Sequence, residues 1–460
     1  MITSIILAAG EGTRMKSSLP KVLHKVCGKS MVNCVVDTCK KANINKNVVV
    51  VGHGKENVIK SLEAENVNFA VQPIGEDIPY GTGYAVMQAK DYIKDNEYVV
   101  ILYGDTPLIT SKTLTNLIDY HKNGKYAATV LTADFQDPTG YGRIIRDNKG
   151  NVVEIVEHKD ATDEQREIKE INSGIYCFYG KYLKEALDNL TNDNAQNEYY
   201  ITDAIKILKD KGLEVGGYKL EDSTDIKGVN TRVQLAEAEK IMRKRINEKL
   251  MLSGVTIIDP DNTYIGSEVE IGKDTVVYPG AILEGKTKVG SECIIGHNSR
   301  IADSVIGDRV NIQISTIIES KVDDDTKIGP YAYLRPNSDI GKSVKIGDFV
   351  EVKNSKINDN SKASHLAYIG DAEVGKDVNI GCGVVFVNYD GKNKHKTIVE
   401  DKAFIGCNVN LVSPVTVRKG AYIAAGSTIT DEVPEESLAI ARSRQTNKEG
   451  WVKKKNSSNK

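Results

Sequence analysis

The sequence predicts an α/β head built on a mostly parallel, Rossmann-like sheet, followed by a parallel β-helix of hexapeptide repeats. Three observations predict it. Over residues 1–231 short β-branched runs alternate with amphipathic stretches; over 232–252 there is neither Gly nor Pro; beyond Gly254 an aliphatic residue recurs every six positions.

In the head, residues 5–9, 48–51, 67–71 and 98–103 read as strands, and 31–43, 56–65, 83–95 and 112–122 as helices. Alternation at this spacing makes a parallel sheet covered on both faces, with its ligand crevice at the carboxyl ends of the strands. Residues 232–252, rich in Ala, Glu, Lys, Arg and Leu, read as one long connecting helix. The expected organisation is a head over 1–231, a linker helix over 232–253, and a repeat domain with its tail over 254–460.

In the repeat, Ile265, Ile271, Val277, Leu283, Val289, Ile295 and Ile301 are six apart; a five-residue step leads to Ile306, Ile312 and Ile318, and the pattern resumes from Val322 to Val352 and from Val399 to Ile429. No ordinary helix or sandwich holds a period of six over so many turns, whereas a prism with three short faces per coil does. Each coil buries its aliphatics only against its neighbours, so the stack is stable as a whole. The small residue after the aliphatic, as in Ile265-Gly266 and Ile405-Gly406, is expected to permit the corner turn. Phe386 and Val399 are 13 apart, so the polar, basic stretch 388–397 leaves the coils as a loop, either a tolerated insertion or a ligand-binding arm. Residues 431–460 lose the repeat and read as a frayed tail.

Composition narrows the function. Of 460 residues, 61 are Lys or Arg and 63 Asp or Glu, a net charge of −2 that argues against a general nucleic-acid binder. The seven cysteines form no CxxC pair, which points to reduced thiols rather than a disulfide or zinc framework. No run approaches the ~18 apolar residues of a membrane span, and the first residues lack the basic start of a signal peptide. The expectation is a cytoplasmic protein without membrane insertion.

The turn after the first strand, Leu7-Ala8-Ala9-Gly10-Glu11-Gly12-Thr13-Arg14, has the small residues that let backbone N–H groups approach phosphate oxygens, with Arg14 and Lys21 as nearby cations. Asp105, in Tyr103-Gly104-Asp105 at the end of a later strand, is placed where a Mg²⁺ would be held. Taken alone, it could equally be a turn or helix cap.

These segments resemble a known family. Leu-Ala-Ala-Gly-x-Gly-Thr-Arg-Met, Pro20-Lys21-Val22-Leu23 and Tyr-Gly-Asp-x-Pro-Leu are similar to the sugar-1-phosphate nucleotidylyltransferases. With the stretches 137–143, 156–160, 170–174 and 228–230 and the hexapeptide domain, residues 2–452 resemble the bacterial bifunctional N-acetylglucosamine-1-phosphate uridylyltransferases/glucosamine-1-phosphate N-acetyltransferases. The resemblance implies a left-handed β-helix, a homotrimer, and two reactions. Glucosamine 1-phosphate is acetylated from acetyl-CoA, and N-acetylglucosamine 1-phosphate is then coupled to UTP with Mg²⁺, giving the UDP-N-acetylglucosamine used in cell-wall synthesis.

By motif, Leu7, Ala8, Ala9, Gly10, Arg14, Lys21, Gln72, Gly81 and Thr82 would bind the nucleotide. Asp105 and Asn230 would hold Mg²⁺, and Tyr103, Gly104, Asp105, Gly142, Glu157, Asn172 and Asn230 would meet the sugar phosphate. In the repeat domain the resemblance implies His365 as general base, a role suited to an imidazole near neutrality. It implies Arg335, Lys353, Tyr368, Asn379 and Lys394 for the acceptor sugar, and Cys382, Asn388, Tyr389, Cys407, Ala425 and Arg442 for acetyl-CoA. One departure is visible. The family pattern Gln-x-x-x-x-Gly-Thr-Gly-His is lengthened by four residues between Gln72 and Gly81, and Tyr84 stands for His, which leaves base preference open. The alternative is a nucleotidylyltransferase of other base preference whose β-helix only trimerises or regulates.

Overall fold

The structure, a computed structural model, describes residues 1–75 and 78–457. Glu76 and Asp77, inside the lengthened segment after Gln72, and the last three residues of the expected tail lie outside the described residues. The chain divides into two compact units, Met1–Met242 and Arg243–Lys460, and the division falls within the single helix Arg232–Leu252.

The first unit holds a sheet in the order Val215–Leu220, Ala128–Asp134, Glu170–Tyr179, Tyr98–Tyr103, Ile2–Ala8, Lys46–Val51, Asn68–Val71. On this path all pairs are parallel except those of Glu170–Tyr179, which runs antiparallel to both its neighbours. The hairpin Arg143–Arg146/Val152–Val156 hangs from that strand. Side chains alternate between the two faces, and both faces are covered, so Ile2–Ala8, Lys46–Val51 and Tyr98–Tyr103 are buried almost throughout. Ile5, Leu7, Val48 and Val50 pack beneath one layer of helices, and Ile6, Ala8, Val49 and Val51 beneath the other. From Ile2–Ala8 the chain steps through Lys46–Val51 to Asn68–Val71 on one side, then returns to Tyr98–Tyr103 on the other. The strand order therefore reverses beside Ala8, where the loops part and leave a crevice.

The stretch read as one helix over 83–95 is two pieces, an α-helix Thr82–Met87 and a 3₁₀ turn Lys90–Tyr92. The chain tightens to i→i+3 bonds, Tyr92 N–H to Ala89 and Ile93 N–H to Lys90. In that geometry Ile93 enters the core and the Tyr92 hydroxyl donates to the Phe69 carbonyl at 3.2 Å.

The second unit is a left-handed parallel β-helix. Strands of two or three residues stack in three ladders, as in Val276–Val277 on Ile294–Ile295, Tyr264–Ile265 on Ile282–Leu283 and Glu270–Ile271 on Lys288–Val289. Val277, Leu283, Ile295, Ile301, Leu334 and Ile405 are fully buried along its axis. Two corrections follow. The inward residue is Ile317, not Ile318, because Ile301, Ile317 and Leu334 form one ladder, which makes both Ile312 to Ile317 and Ile317 to Val322 five-residue steps. The glycine after the aliphatic makes the turn itself only rarely, as at Gly329 (φ 97°), and not at Gly266, Gly272, Gly296 or Gly406. At Gly272 a Cβ would lie 2.6 Å from the backbone of Gly290 on the next coil, so it is there for close approach, while the left-handed corner conformation falls on residues such as Asp274 (φ 62°) and Glu292 (φ 58°). Buried hydroxyls seal the corners, Thr275 donating to Gly290 O at 2.8 Å and Ser361 to Gly375 O at 2.7 Å.

The coils also run further than expected. Val433 bridges to Val417 and Leu438–Ala439 pairs with Tyr422–Ile423, after which Trp451–Ser457 forms an exposed helix. The repeat was hidden there because Val433 follows Ile429 by only four residues and the next inward position, Ala439, is small.

Ile317→Ala is expected to destabilise the β-helix by about 2–5 kcal/mol, the range for emptying a buried Ile site, and Ile318→Ala by less than about 1 kcal/mol. The midpoints of urea unfolding of the two full-length variants check the register.

Candidate active sites

In the first unit the carboxyl ends of the parallel strands surround a cleft of about 350 Å³. Leu7 and Ala8 end the Ile2–Ala8 strand and Ala9 and Gly10 follow it, Gln72 follows Asn68–Val71, Tyr103 ends Tyr98–Tyr103 and Asp105 lies just beyond. All of these line the cleft, with Lys21, Gly81, Thr82, Gly142, Glu157, Asn172 and Asn230. Two expected residues do not line it. Gly104 donates its N–H to Leu7 O at 2.9 Å, tying two strands together. Arg14 stands outside, with its guanidinium 2.8 Å from Asn230 Oδ1.

The electrostatic centre is the Lys21 ammonium. It is ion-paired with Asp105 and donates to Asn230 Oδ1 at 3.0 Å. Asp105 is 8% exposed, and Val229 N–H donates to its carbonyl at 2.9 Å, which brings Asn230 alongside. A carboxylate and an amide oxygen thus meet on one cation. Hard oxygen donors of this kind suit Mg²⁺, which takes one or two carboxylates and completes its shell with phosphate and water. Among the described residues no group of three or more His, Cys, Asp and Glu could hold a metal ion.

On the opposite wall, burial raises the Glu157 carboxyl above its ordinary range, and Asp160, Asp203 and Glu198 add to the shift. Tyr103 is likewise pushed up, by burial first and then by Glu157 and Asp105. Its ring lies against Gly174, where a Cβ would come within 2.3 Å. Asn172 is held by its own turn, donating to the Tyr176 hydroxyl at 2.7 Å and accepting from Gly174 N–H at 3.0 Å. Gly81 (φ 118°) passes so close to Tyr199 that a Cβ would meet its carbonyl oxygen at 2.4 Å. Sequence reasoning missed Tyr80, Thr106 and Glu198 in the lining. Tyr141 lay within a recognised motif, but nothing in the sequence marked Glu198.

The second candidate site is on one corner of the β-helix. His365 is exposed, with Nδ1 2.6 Å from Oδ1 of Asp348 on the preceding coil. Cys382, Cys407 and Ala425 follow on successive coils. Asn408 N–H donates to Cys382 O at 2.7 Å and Gly426 N–H to Cys407 O at 2.8 Å, and Arg442 stands beside Gly426. Both cysteines are exposed, whereas the other five are buried.

On the neighbouring face Arg335 donates to Glu351 Oε1 at 2.8 Å, and Tyr368 pairs with Glu351 in register. Asn388 is buried, donating to Asp371 Oδ2 at 2.5 Å and to the Tyr368 hydroxyl at 3.4 Å. The expected loop is a braced arm. Tyr389 bridges to Lys394, and Asp390 accepts from the N–H groups of Lys392 and Asn393 and contacts His395. Those N–H groups, with His395, hold the Asp390 carboxyl down at about 2. Lys394 is brought against Lys353, and the hydrogen-bonding contact with that amine, then its charge, hold the Lys394 ammonium below its ordinary range. Asn379 is not gathered with them. It pairs with Lys362 and Phe404, on a different ladder from Tyr368.

Comparison with known proteins agrees with this division. The family described as nucleotidyl transferase matches residues 3–230, and the bacterial transferase hexapeptide family (six repeats) matches residues 268–303. The bifunctional protein GlmU of Clostridioides difficile is 61% identical over 453 residues, 98% of each chain. That of Alkaliphilus metalliredigens is 58% identical over 454 residues, 99% of this chain and 98% of its own. That of Acetivibrio thermocellus is 59% identical over 455 residues, with the same coverage. With identity at this level over nearly the whole length of both partners, this chain belongs to the family of the bifunctional protein GlmU.

Proposed function

We propose that the chain is a bifunctional transferase that makes UDP-N-acetylglucosamine, acetylating glucosamine 1-phosphate from acetyl-CoA in its repeat domain (254–460) and coupling the product to UTP in its head (1–231), with 232–253 as the connecting helix. The observation that carries the reading is that one polypeptide holds two unlike sites, a switch-point cleft centred on Lys21, Asp105 and Asn230 and an exposed imidazole on a β-helix corner. It acts in the cytoplasm as a homotrimer through its β-helix. No described helix is long and apolar enough to cross a membrane.

In the head, a phosphate oxygen of N-acetylglucosamine 1-phosphate attacks the α-phosphorus of UTP in line. A P–O bond forms, the bond to the β-phosphate breaks, and pyrophosphate leaves. Both partners are anions, so the chain's work is charge neutralisation and alignment. Backbone N–H groups of Leu7–Gly10, with Lys21 and Arg14, would grip the nucleotide phosphates, and Gln72, Gly81 and Thr82 would face the base. Glu157, Asn172, Gly142 and Tyr103 would hold the sugar. Mg²⁺, held by Asp105 and Asn230, would neutralise charge on the reacting phosphates. No side-chain base is required, because a sugar phosphate is already ionised.

In the repeat domain the acceptor is an ammonium and needs a base. His365 takes its proton, the amine forms a C–N bond to the thioester carbonyl, the C–S bond breaks, and CoA leaves as thiolate to be reprotonated. Lys353 and Lys394, two cations held together, suit the acceptor's phosphate, and Arg335 stands beside them. The exposed column Cys382, Cys407, Ala425 leads away from His365 and suits the extended chain of CoA, with Asn388, Tyr389 and Arg442 nearby.

His365→Ala is expected to cut CoA release by about 100-fold or more, the range for a general base, while Mg²⁺-dependent pyrophosphate release from UTP stays at wild-type rate. Asp105→Asn should give the reverse pattern. Thiol titration and a phosphate-coupled assay separate the two, and CoA release unchanged in His365→Ala would refute the acetyltransferase reading. A panel of UTP, dTTP, CTP, ATP and GTP with N-acetylglucosamine 1-phosphate should show UTP preferred. Because the Lys21 ammonium occupies the oxygens assigned to the metal, Lys21→Met without nucleotide should bind Mn²⁺ about tenfold more tightly than wild type. Electron paramagnetic resonance of free Mn²⁺ reads this directly.

A further inference from the structure

Asp348 and His365 lie directly opposite one another on adjacent coils, in Lys345–Lys353 and Lys362–Gly370. These are the two nine-residue strands that run through a corner where other coils have two or three paired residues. The contact, Nδ1 to Oδ1 at 2.6 Å, is in the range of a charge-assisted hydrogen bond. A carboxylate only accepts, so the proton is on Nδ1 and the Nε2 lone pair is left for another partner. Among the described residues no partner for Nε2 is found, and the ring is 59% exposed.

A purely structural role fits poorly. Seven register pairs already join these strands, and Gly347 packs so tightly on Ser364 that a Cβ would lie 1.8 Å from its carbonyl oxygen. Cross-coil ion pairs elsewhere use Lys or Arg, as in Arg300–Glu284, Arg309–Asp325 and Lys342–Asp324. A histidine differs from these in keeping a second ring nitrogen free. In register Asp348 faces the imidazole from the coil before, Lys345 acts on that same carboxyl, and Lys362 precedes His365 by three places on its own strand. Cys382 comes from the coil after, by extending the Ala363–Ile380 register two places. Asp348 is thus the only carboxylate among these neighbours. The hydrogen bond from His365 also holds the Asp348 carboxyl below its ordinary range.

We propose that Asp348 is the positioning residue of the acetyl-transfer base. It keeps the proton on Nδ1, aims Nε2 at the acceptor amine, and offsets the positive charge that the imidazole gains when that amine is deprotonated. The proposal rests on the reading of His365 as the base.

Two substitutions in the full-length enzyme separate charge from geometry. Asp348→Asn keeps an oxygen that can accept from Nδ1–H but removes the charge. The acid limb of kcat/KM for CoA release should move down by about half to one pH unit, and kcat should fall about tenfold. Asp348→Ala removes both, and kcat should fall about 100-fold with KM for glucosamine 1-phosphate within about twofold. Nitrogen-15 spectra should show His365 changing from the Nδ1–H tautomer toward Nε2–H in Asp348→Ala. Pyrophosphate release at wild-type rate serves as the folding control. Asp348→Ala with wild-type kcat, an unmoved acid limb or an unchanged tautomer would overturn the proposal. If His365→Ala is inactive while Asp348→Ala is not impaired, the positioning role alone fails; if His365→Ala is active, the base assignment fails with it.

Discussion

Parallel strand pairing is the constraint on which the rest depends. In the head, parallel strands deliver their carboxyl ends to one edge, so Gly10, Gln72 and Asp105, far apart in sequence, emerge around the same cleft. In the β-helix the same pairing repeats coil on coil, and outside the first coil and the coil carrying the arm a residue meets the one 16 to 18 places later, as Arg300 meets Thr316 and Tyr264 meets Ile282. The buried aliphatics tolerate no slip in that register. Variation in coil length is therefore taken up at the corners, where Asp274, Glu292 and their counterparts adopt left-handed backbone. The corners are also where His365, Cys382 and Cys407 stand in a column.

Both sites hold cations closer together than water alone would keep them. Arg14 and Lys21 share one neutral oxygen on Asn230, and Lys394 is pressed against Lys353. Such arrangements cost free energy in the absence of an anion, and the cost disappears when a phosphate enters between the charges. At the β-helix the groups are exposed and salt screens them within about 10 Å. In the cleft Asp105 already offsets part of the repulsion, so a phosphate proposed to bind there would compete with a carboxylate for Lys21.

How much of this was legible depended on whether the signal was local. The six-residue period needed no coordinates, because each aliphatic reports its own burial. Ile317 and Ile318 could not be ranked from sequence, since two adjacent isoleucines fit the spacing and only the pairing with Ile301 and Leu334 selects one. The head motifs were legible as contiguous strings, so Lys21, Asp105 and Asn230 were identified and the structure brings them together. Glu198 and Tyr80 were missed because they reach the cleft through tertiary packing around Gly81, not through a motif of their own. Asp348 was invisible for a similar reason. Seventeen residues before a histidine, an aspartate looks like ordinary surface charge until the coil length is known.

The arm shows how a solenoid gains chemistry without losing its core. Phe386 and Val399 both remain fully or almost fully buried, so ejecting the segment between them leaves the hydrophobic axis continuous. A floppy loop would place Lys394 anywhere within its reach and lose entropy on every binding event. Here Asp390 gathers two N–H groups and His395, the Tyr389–Lys394 bridge closes the turn, and Lys396 is tied to Glu373 on the coil below at 2.7 Å. The ordering is supplied by the fold before any ligand arrives. Buried Asn388 completes it from beneath, joining Asp371 and the Tyr368 hydroxyl, so that the base of the arm and the face bearing Tyr368 form one hydrogen-bonded unit. An insertion braced at both ends in this way adds a positioned cation to a scaffold whose regular coils present only short, flat faces.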